Sequence, residues 1–173
     1  ACLPGDITAT IEMLIEELDD DTGLELRQAW LEECGRKKQE WCEFKTSRVN
    51  VTSIFDDIWE CPVLTQPTAI HTVANFAKQI NAIKFFDAGD VQANGFQLVE
   101  DDCPEQTFTE TGASFMGFAG SALLSSAYVK SPKYAIAFTG DGSFMMNPQI
   151  LIDGIQHGVH GTILLLDNRR MAA

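Results

Sequence analysis

The sequence is short of positive charge: 12 Lys and Arg stand against 25 Asp and Glu, a formal net charge of −13 at pH 7. A phosphate-backbone binder or an anionic-membrane binder needs a basic face to displace counterions, so the composition argues against both. No apolar run approaches the roughly 18 to 20 residues that cross a bilayer. The start, Ala1-Cys2-Leu3-Pro4-Gly5-Asp6, lacks the basic and apolar regions of a secretory leader. The five cysteines (Cys2, Cys34, Cys42, Cys61, Cys103) fall at irregular spacings, with no C-x-x-C and no His pair at zinc-ligand spacing. They read as free thiols of a reducing cytoplasm. What is present suffices for a packed core: 45% hydrophobic residues, including 11 Phe and 3 Trp. An anionic ligand stays open, provided a metal or backbone N–H groups hold it.

The acids are unevenly spread, with 15 of the 25 in residues 1–60. There Ile11, Leu14, Ile15 and Leu18 recur at i, i+3, i+4 and i+7, which predicts a helix capped by Asp6 or Thr8. A second, charge-rich helix is expected from Leu24 through Trp41 to Phe44, its charges facing water. Cys61 to Pro67 reads as a connector, with Pro67 at the start of the next helix. From there the pattern is regular. Ala82 to Asp87, Tyr134 to Thr139 and Thr162 to Leu166 are apolar runs expected as buried strands, and Ser114 to Tyr128 is expected as one helix. Asn147 as N-cap and Pro148 at the first position open another, closed by Gly158. Strands alternating with helices predict an α/β fold: a parallel sheet with helices on both faces, preceded by a helical lead-in. The chain does not begin with Met and stops in mid-pattern after a strand, so a piece of a larger protein is expected.

Ligands of such sheets bind at the carboxyl ends of the strands, where the polar clusters fall. Asp141 follows one strand and Asn168 another, separated by one helix and one strand. If those strands are neighbours, a carboxylate and an amide oxygen meet at one sheet edge and suit a hard cation such as Mg2+. Gly140 and Gly142 allow a sharp turn and close approach of a bulky anion, while Ser143 and the N–H groups of the next helix can donate to phosphate oxygens. Asp141-Gly142 between apolar runs is equally the signal of a β-hairpin, which would make the fold α+β. A third reading is a non-catalytic doubly wound binding or regulatory domain in which Asp141 and Asn168 only shape turns.

Gly140-Asp141-Gly142-Ser143, followed by Asp167-Asn168 at the end of an apolar strand, resembles the thiamine-diphosphate motif, G-D-G followed by N-N. Asp167 departs from that form, whereas Asn168 keeps the metal-binding position. The resemblance implies that the side chains of Asp141 and Asn168 and the backbone carbonyl of Arg170 bind Mg2+, with cofactor diphosphate oxygens and a water completing the shell. Thr111 to Gly120 resembles the segment that holds the aminopyrimidine, which implies contacts from the Ser114 carbonyl and from the Met116 N–H and side chain. Asp87 to Gln92 resembles the diphosphate-contacting turn, with contact by the backbone of Gly89 and Asp90.

The likeness extends to the acetolactate synthase and pyruvate oxidase branch, including its cyclic diketone hydrolases. It implies residues 1–60 as the helical end of a central domain plus linker, and residues 61–173 as the diphosphate-binding domain, truncated at its C-terminus. It implies a lyase, transferase or hydrolase that cleaves or forms a carbon-carbon bond next to a carbonyl of a 2-keto acid or diketone. The glutamate that activates the cofactor comes, in the family, from a pyrimidine domain of the same or a second chain, typically in a homodimer or homotetramer. No segment here matches that domain, and Glu110 reads as a solvated loop acid. Part of the branch binds FAD in the central domain, so FAD is open for the whole protein.

Overall fold

The structure, a computed structural model, describes residues 4–18 and 24–169. The chain divides into two units, Ala1–Phe44 and Lys45–Ala173.

In the first unit, helix α1 (Ile7–Glu17) starts at Asp6, whose carboxylate accepts from the Ala9 N–H at 3.0 Å. None of its residues is buried, and the face of Ile11, Leu14, Ile15 and Leu18 is exposed. Helix α2 (Leu24–Val49) carries an exposed ion-pair ladder in which Arg36 bridges Glu33 and Glu40 and Lys37 meets Glu40 at 3.1 Å.

The second unit begins at Lys45 within α2 and continues into an antiparallel hairpin, β1 (Ser53–Asp56) and β2 (Cys61–Leu64), where the sequence suggested only a connector at 61–67. Helix α3 (Gln66–Gln79) follows, with Thr65 as N-cap and Pro67 in its first turn. Then come β3 (Ile83–Phe86), α4 (Asp90–Leu98), β4 (Thr107–Thr109), α5 (Phe118–Ala122), α6 (Ser125–Tyr128), β5 (Ala135–Gly140), α7 (Asp141–Phe144), α8 (Ile150–Gln156) and β6 (Gly161–Leu166). The four strands β4-β3-β5-β6 form a sheet in that order with every pair parallel. The hairpin alternative around Asp141-Gly142 is thereby excluded, since the strand before it pairs in parallel on both sides.

Side chains alternate across this sheet and fill two cores. Phe86, Ile136 and Phe138 pack with Ile70, Ala74 and Ala77 of α3 and Val91 and Leu98 of α4. Phe85, Ala135 and Ala137 face the other way, onto Ala119 and Leu123 from the α5 segment. Helices therefore cover both faces, which is why β5 reads as a continuous apolar run, buried from Ala135 to Thr139.

Two helix expectations need correction. Residues 114–117 are not helical: Ser114 has φ 51 and Gly117 is left-handed at φ 89, so the helix begins at Phe118 and is split into α5 and α6. Asn147 does not cap α8, whose N-cap is Gln149; the Asn147 amide instead donates to the Ser121 hydroxyl at 2.9 Å. Gly158, at φ 68, follows α8 as the stop signal indicated.

Candidate functional site

Chain direction in the sheet places the site. From β3 the chain moves outward to β4, then returns across β3 to β5 and on to β6, so the connections leave β3 and β5 in opposite directions. A crevice opens at such a switch point, beyond the carboxyl ends of the strands. There lies a cavity of about 180 Å³, walled by the turn after β3 (Ala88, Gly89, Asp90, Val91), the turn after β5 (Gly140, Asp141, Gly142, Ser143), the end of β6 (Leu166, Asn168), Met116 and Gln66.

Register explains why Asp141 and Asn168 meet. Gly140 lies opposite Leu166 in the β5–β6 pair, so Asp141 and Asn168 leave the same edge one and two residues later. Adjacent strands lie about 4.8 Å apart. The Asp167 carboxylate accepts from the Arg169 N–H at 3.0 Å, a side-chain turn that directs the chain at Asn168. An Asn would supply the same acceptor oxygen, so Asp167 in place of the usual Asn keeps the turn. Arg169 has φ 54, and its guanidinium carbon stands 3.4 Å from the centroid of the Trp59 ring.

Backbone N–H groups dominate the opposite wall. Gly89 adopts φ 84 and ψ −144, a conformation open essentially to glycine, and from it α4 starts at Asp90. The first-turn N–H groups of a helix have no partner within it, and here Asp90 and Val91 line the cavity. Four-residue α7 begins at Asp141, directly after β5.

The Met116 wall is held differently. The Glu110 carboxylate accepts from the N–H groups of Gly112 (2.7 Å), Ala113 (2.9 Å) and Phe115 (3.2 Å). These bonds, that from Ala113 foremost, hold the Glu110 carboxyl below its ordinary range. Glu110 is half-buried rather than the freely solvated loop acid expected, and its carboxylate organises the loop. Gln92 of α4 ties this loop to the helix, donating to the Thr109 hydroxyl at 2.5 Å and to the Glu110 carbonyl at 3.0 Å.

Of the residues singled out in the sequence, Gly89, Asp90, Met116, Gly140, Asp141, Gly142, Ser143 and Asn168 line one cavity. Ser114, two residues from Met116, is exposed and outside the lining, and Arg170 lies outside the described residues. Sequence reasoning missed Gln66 and Leu166, and named Ala88 and Val91 only within the Asp87 to Gln92 turn. It gave no role to Asp87, which is fully buried behind the cavity wall, although an acid closing a buried apolar run was a signal that it must find donors.

The donor set fits a hard cation: one carboxylate and one amide converge at one edge, facing glycine-rich backbone. Among the described residues no cluster of three His, Cys, Asp or Glu stands elsewhere as a rival metal site, and no helix is long and apolar enough to cross a membrane.

Residues 87–173, half of the chain, match the family described as thiamine pyrophosphate enzyme, C-terminal TPP binding domain. The chain is 30% identical over 111 residues to the acetolactate synthase isozyme 1 large subunit of Escherichia coli (strain K12), a match covering 64% of this chain and 20% of the relative. It is 31% identical over 94 residues to the isozyme 2 large subunit of the same organism, covering 54% and 17%. The matches thus span about a fifth of the length of these curated relatives.

Proposed function

The chain belongs to the thiamine pyrophosphate enzymes, in their acetolactate synthase-like branch, and from that premise we propose that the cavity binds thiamine diphosphate through Mg2+. The observation that carries the reading is the convergence of Asp141 and Asn168 at one end of a cavity whose other walls are the Gly89–Asp90 turn and Met116. Asp141 and Asn168 would hold Mg2+ by their side-chain oxygens, with the backbone carbonyl of Arg170 as a third protein ligand. Gly89, Asp90, Gly140, Gly142 and Ser143 would meet the diphosphate through backbone N–H groups and the Ser143 hydroxyl. Ser114 and Met116 would hold the aminopyrimidine end.

When bound, thiamine diphosphate supplies the nucleophilic carbon and the electron sink for breaking or making a carbon-carbon bond next to a carbonyl. This chain's residues anchor and orient. Asp141 and Asn168 would hold the cation that offsets the diphosphate charge, and Met116 would stand against the middle of the ligand. In the whole protein the substrate is a 2-keto acid or diketone, and the activating glutamate comes from a pyrimidine domain of the same or a second chain, in a cytoplasmic homodimer or homotetramer. Exposed apolar side chains beside the cavity residues in sequence (Phe115, Met145, Met146) support such a covering partner. The test is a titration of the full-length protein with thiamine diphosphate, with Mg2+ and with a chelator. Saturable binding that requires Mg2+ is expected, and no binding in either condition contradicts the reading.

A further inference from the structure

Asp87 directly follows β3 and is 0% exposed, yet it does not line the cavity. A carboxylate without solvent must be met by donors, and three converge on it. One oxygen accepts from the N–H groups of Ala88 at 3.0 Å and Gly117 at 2.8 Å, and the other accepts from the Thr139 hydroxyl at 2.8 Å. Those donors belong to three segments that are far apart in sequence, and each stands at a different wall. Ala88 is itself in the lining, Gly117 follows Met116, and Thr139 precedes Gly140.

β3 and β5 already hold one another by ladder hydrogen bonds, so the ends that carry Ala88 and Thr139 have support of their own. The Met116–Gly117 backbone belongs to no strand. It is pressed against the turn after β5: a Cβ on Gly117 would stand 3.1 Å from that of Met146 and 3.3 Å from the Ser143 carbonyl oxygen. Its left-handed φ of 89 is open to glycine without strain, one of several conformations available to it, and contacts such as the bond to Asp87 select it. The link to Asp87 is a charge-assisted bond in a dry environment, the strongest kind available to a backbone N–H.

We propose that Asp87 is a positioning residue whose buried carboxylate locks the Met116 wall to the turns after β3 and β5, and so fixes the span across which thiamine diphosphate is held. The proposal rests on the thiamine diphosphate reading of the cavity. Asp87 touches neither metal nor ligand. It acts through Ala88, Gly117 and Thr139, so its loss alters the separation of the two ends of the site and leaves each end chemically intact.

The experiment uses the full-length protein with Asp87→Ala, Asp87→Asn and Thr139→Val, titrated calorimetrically with thiamine diphosphate plus Mg2+ and, separately, with inorganic diphosphate plus Mg2+. Asp87→Ala is expected to weaken thiamine diphosphate binding about tenfold or more, on the scale of one lost charge-assisted bond. Asp87→Asn, which keeps an acceptor for the Gly117 N–H, restores most of the affinity, and Thr139→Val falls between. Inorganic diphosphate, which needs only the metal end, binds all variants within about twofold of the unsubstituted protein, a pattern that general destabilisation would not give. Should Asp87→Ala fail to fold, Thr139→Val severs one link at nearly constant volume and carries the comparison. Thiamine diphosphate affinity unchanged in the folded variants, or equal losses for both ligands, overturns the brace alone. Absence of thiamine diphosphate binding in the unsubstituted protein overturns the functional reading beneath it.

Discussion

Glu110 spends its charge on three backbone N–H groups of its own loop, and the loop's shape depends on that charge. Its carboxyl lies below the ordinary value because donation from Ala113, then Phe115 and Gly112, favours the ionised form against a smaller opposing effect of burial. The sign follows from linkage. A depressed folded-state value means the stabilisation is fully present above the ordinary glutamate range and is lost as pH falls through Glu110's own lowered value. Protection of the Gly112, Ala113 and Phe115 amides against exchange, taken relative to each amide's intrinsic rate at that pH, is therefore expected to persist at neutral pH and to fall only in that acid window. In Glu110→Gln the same amides exchange faster at neutral pH and lose the acid dependence; exchange in the variant indistinguishable from the unsubstituted protein would contradict the account. Asp167 is the parallel case at the end of β6, where one carboxylate oxygen fixes the turn that carries Asn168. Neither role was read from the sequence, where Asp167 stood only as a departure from the N-N form, because acceptance from N–H groups two to five residues onward leaves no periodic trace.

Among the elements, α4 shows how closely helix and sheet meet. A Cβ on Gly95 would stand 2.5 Å from the Phe86 ring, and that ring is pinned by stacking on Phe138 at 4.3 Å between centroids. Gly95→Ala gains about 1 kcal/mol of helix propensity. Overpacking a pinned ring costs about 1–3 kcal/mol. A net loss is expected, read as a lower Tm in thermal unfolding; a raised Tm would show that Phe86 yields freely. The long elements were legible because their signals were strong: three apolar runs for β3, β5 and β6, and Thr65-Gln66-Pro67 for the start of α3. β4 was not, since three residues, Thr107-Phe108-Thr109, are too few to show a period and gain their place only by pairing with β3. The hairpin at 53–64 was hidden by Pro62, which its two-stranded sheet tolerates because both strands are edges. The break at 114–117 was masked because Ser114, Phe115 and Met116 can each join a helix and run straight into α5. A bond within the loop to Glu110 and a long-range one to Asp87 override that preference.

For the whole molecule, the proposed Mg2+ would reconcile the charge of −13 with a diphosphate ligand. An acidic chain without a basic patch can hold a polyanion where a divalent cation and aligned N–H groups stand between them. The candidate site was largely legible because its residues sit at strand ends, where a parallel sheet gathers sequence-distant turns. What escaped is what lies behind the wall, Asp87 and its donors, since burial is a property of the assembled fold. The direct test of the account is calorimetric titration of the full-length protein with thiamine diphosphate and Mg2+, comparing the unsubstituted protein with Asp141→Ala and Asn168→Ala. The account predicts binding that each substitution weakens by about 10- to 100-fold or more, the scale of a lost metal ligand or its support. Affinity unchanged in both variants would contradict it.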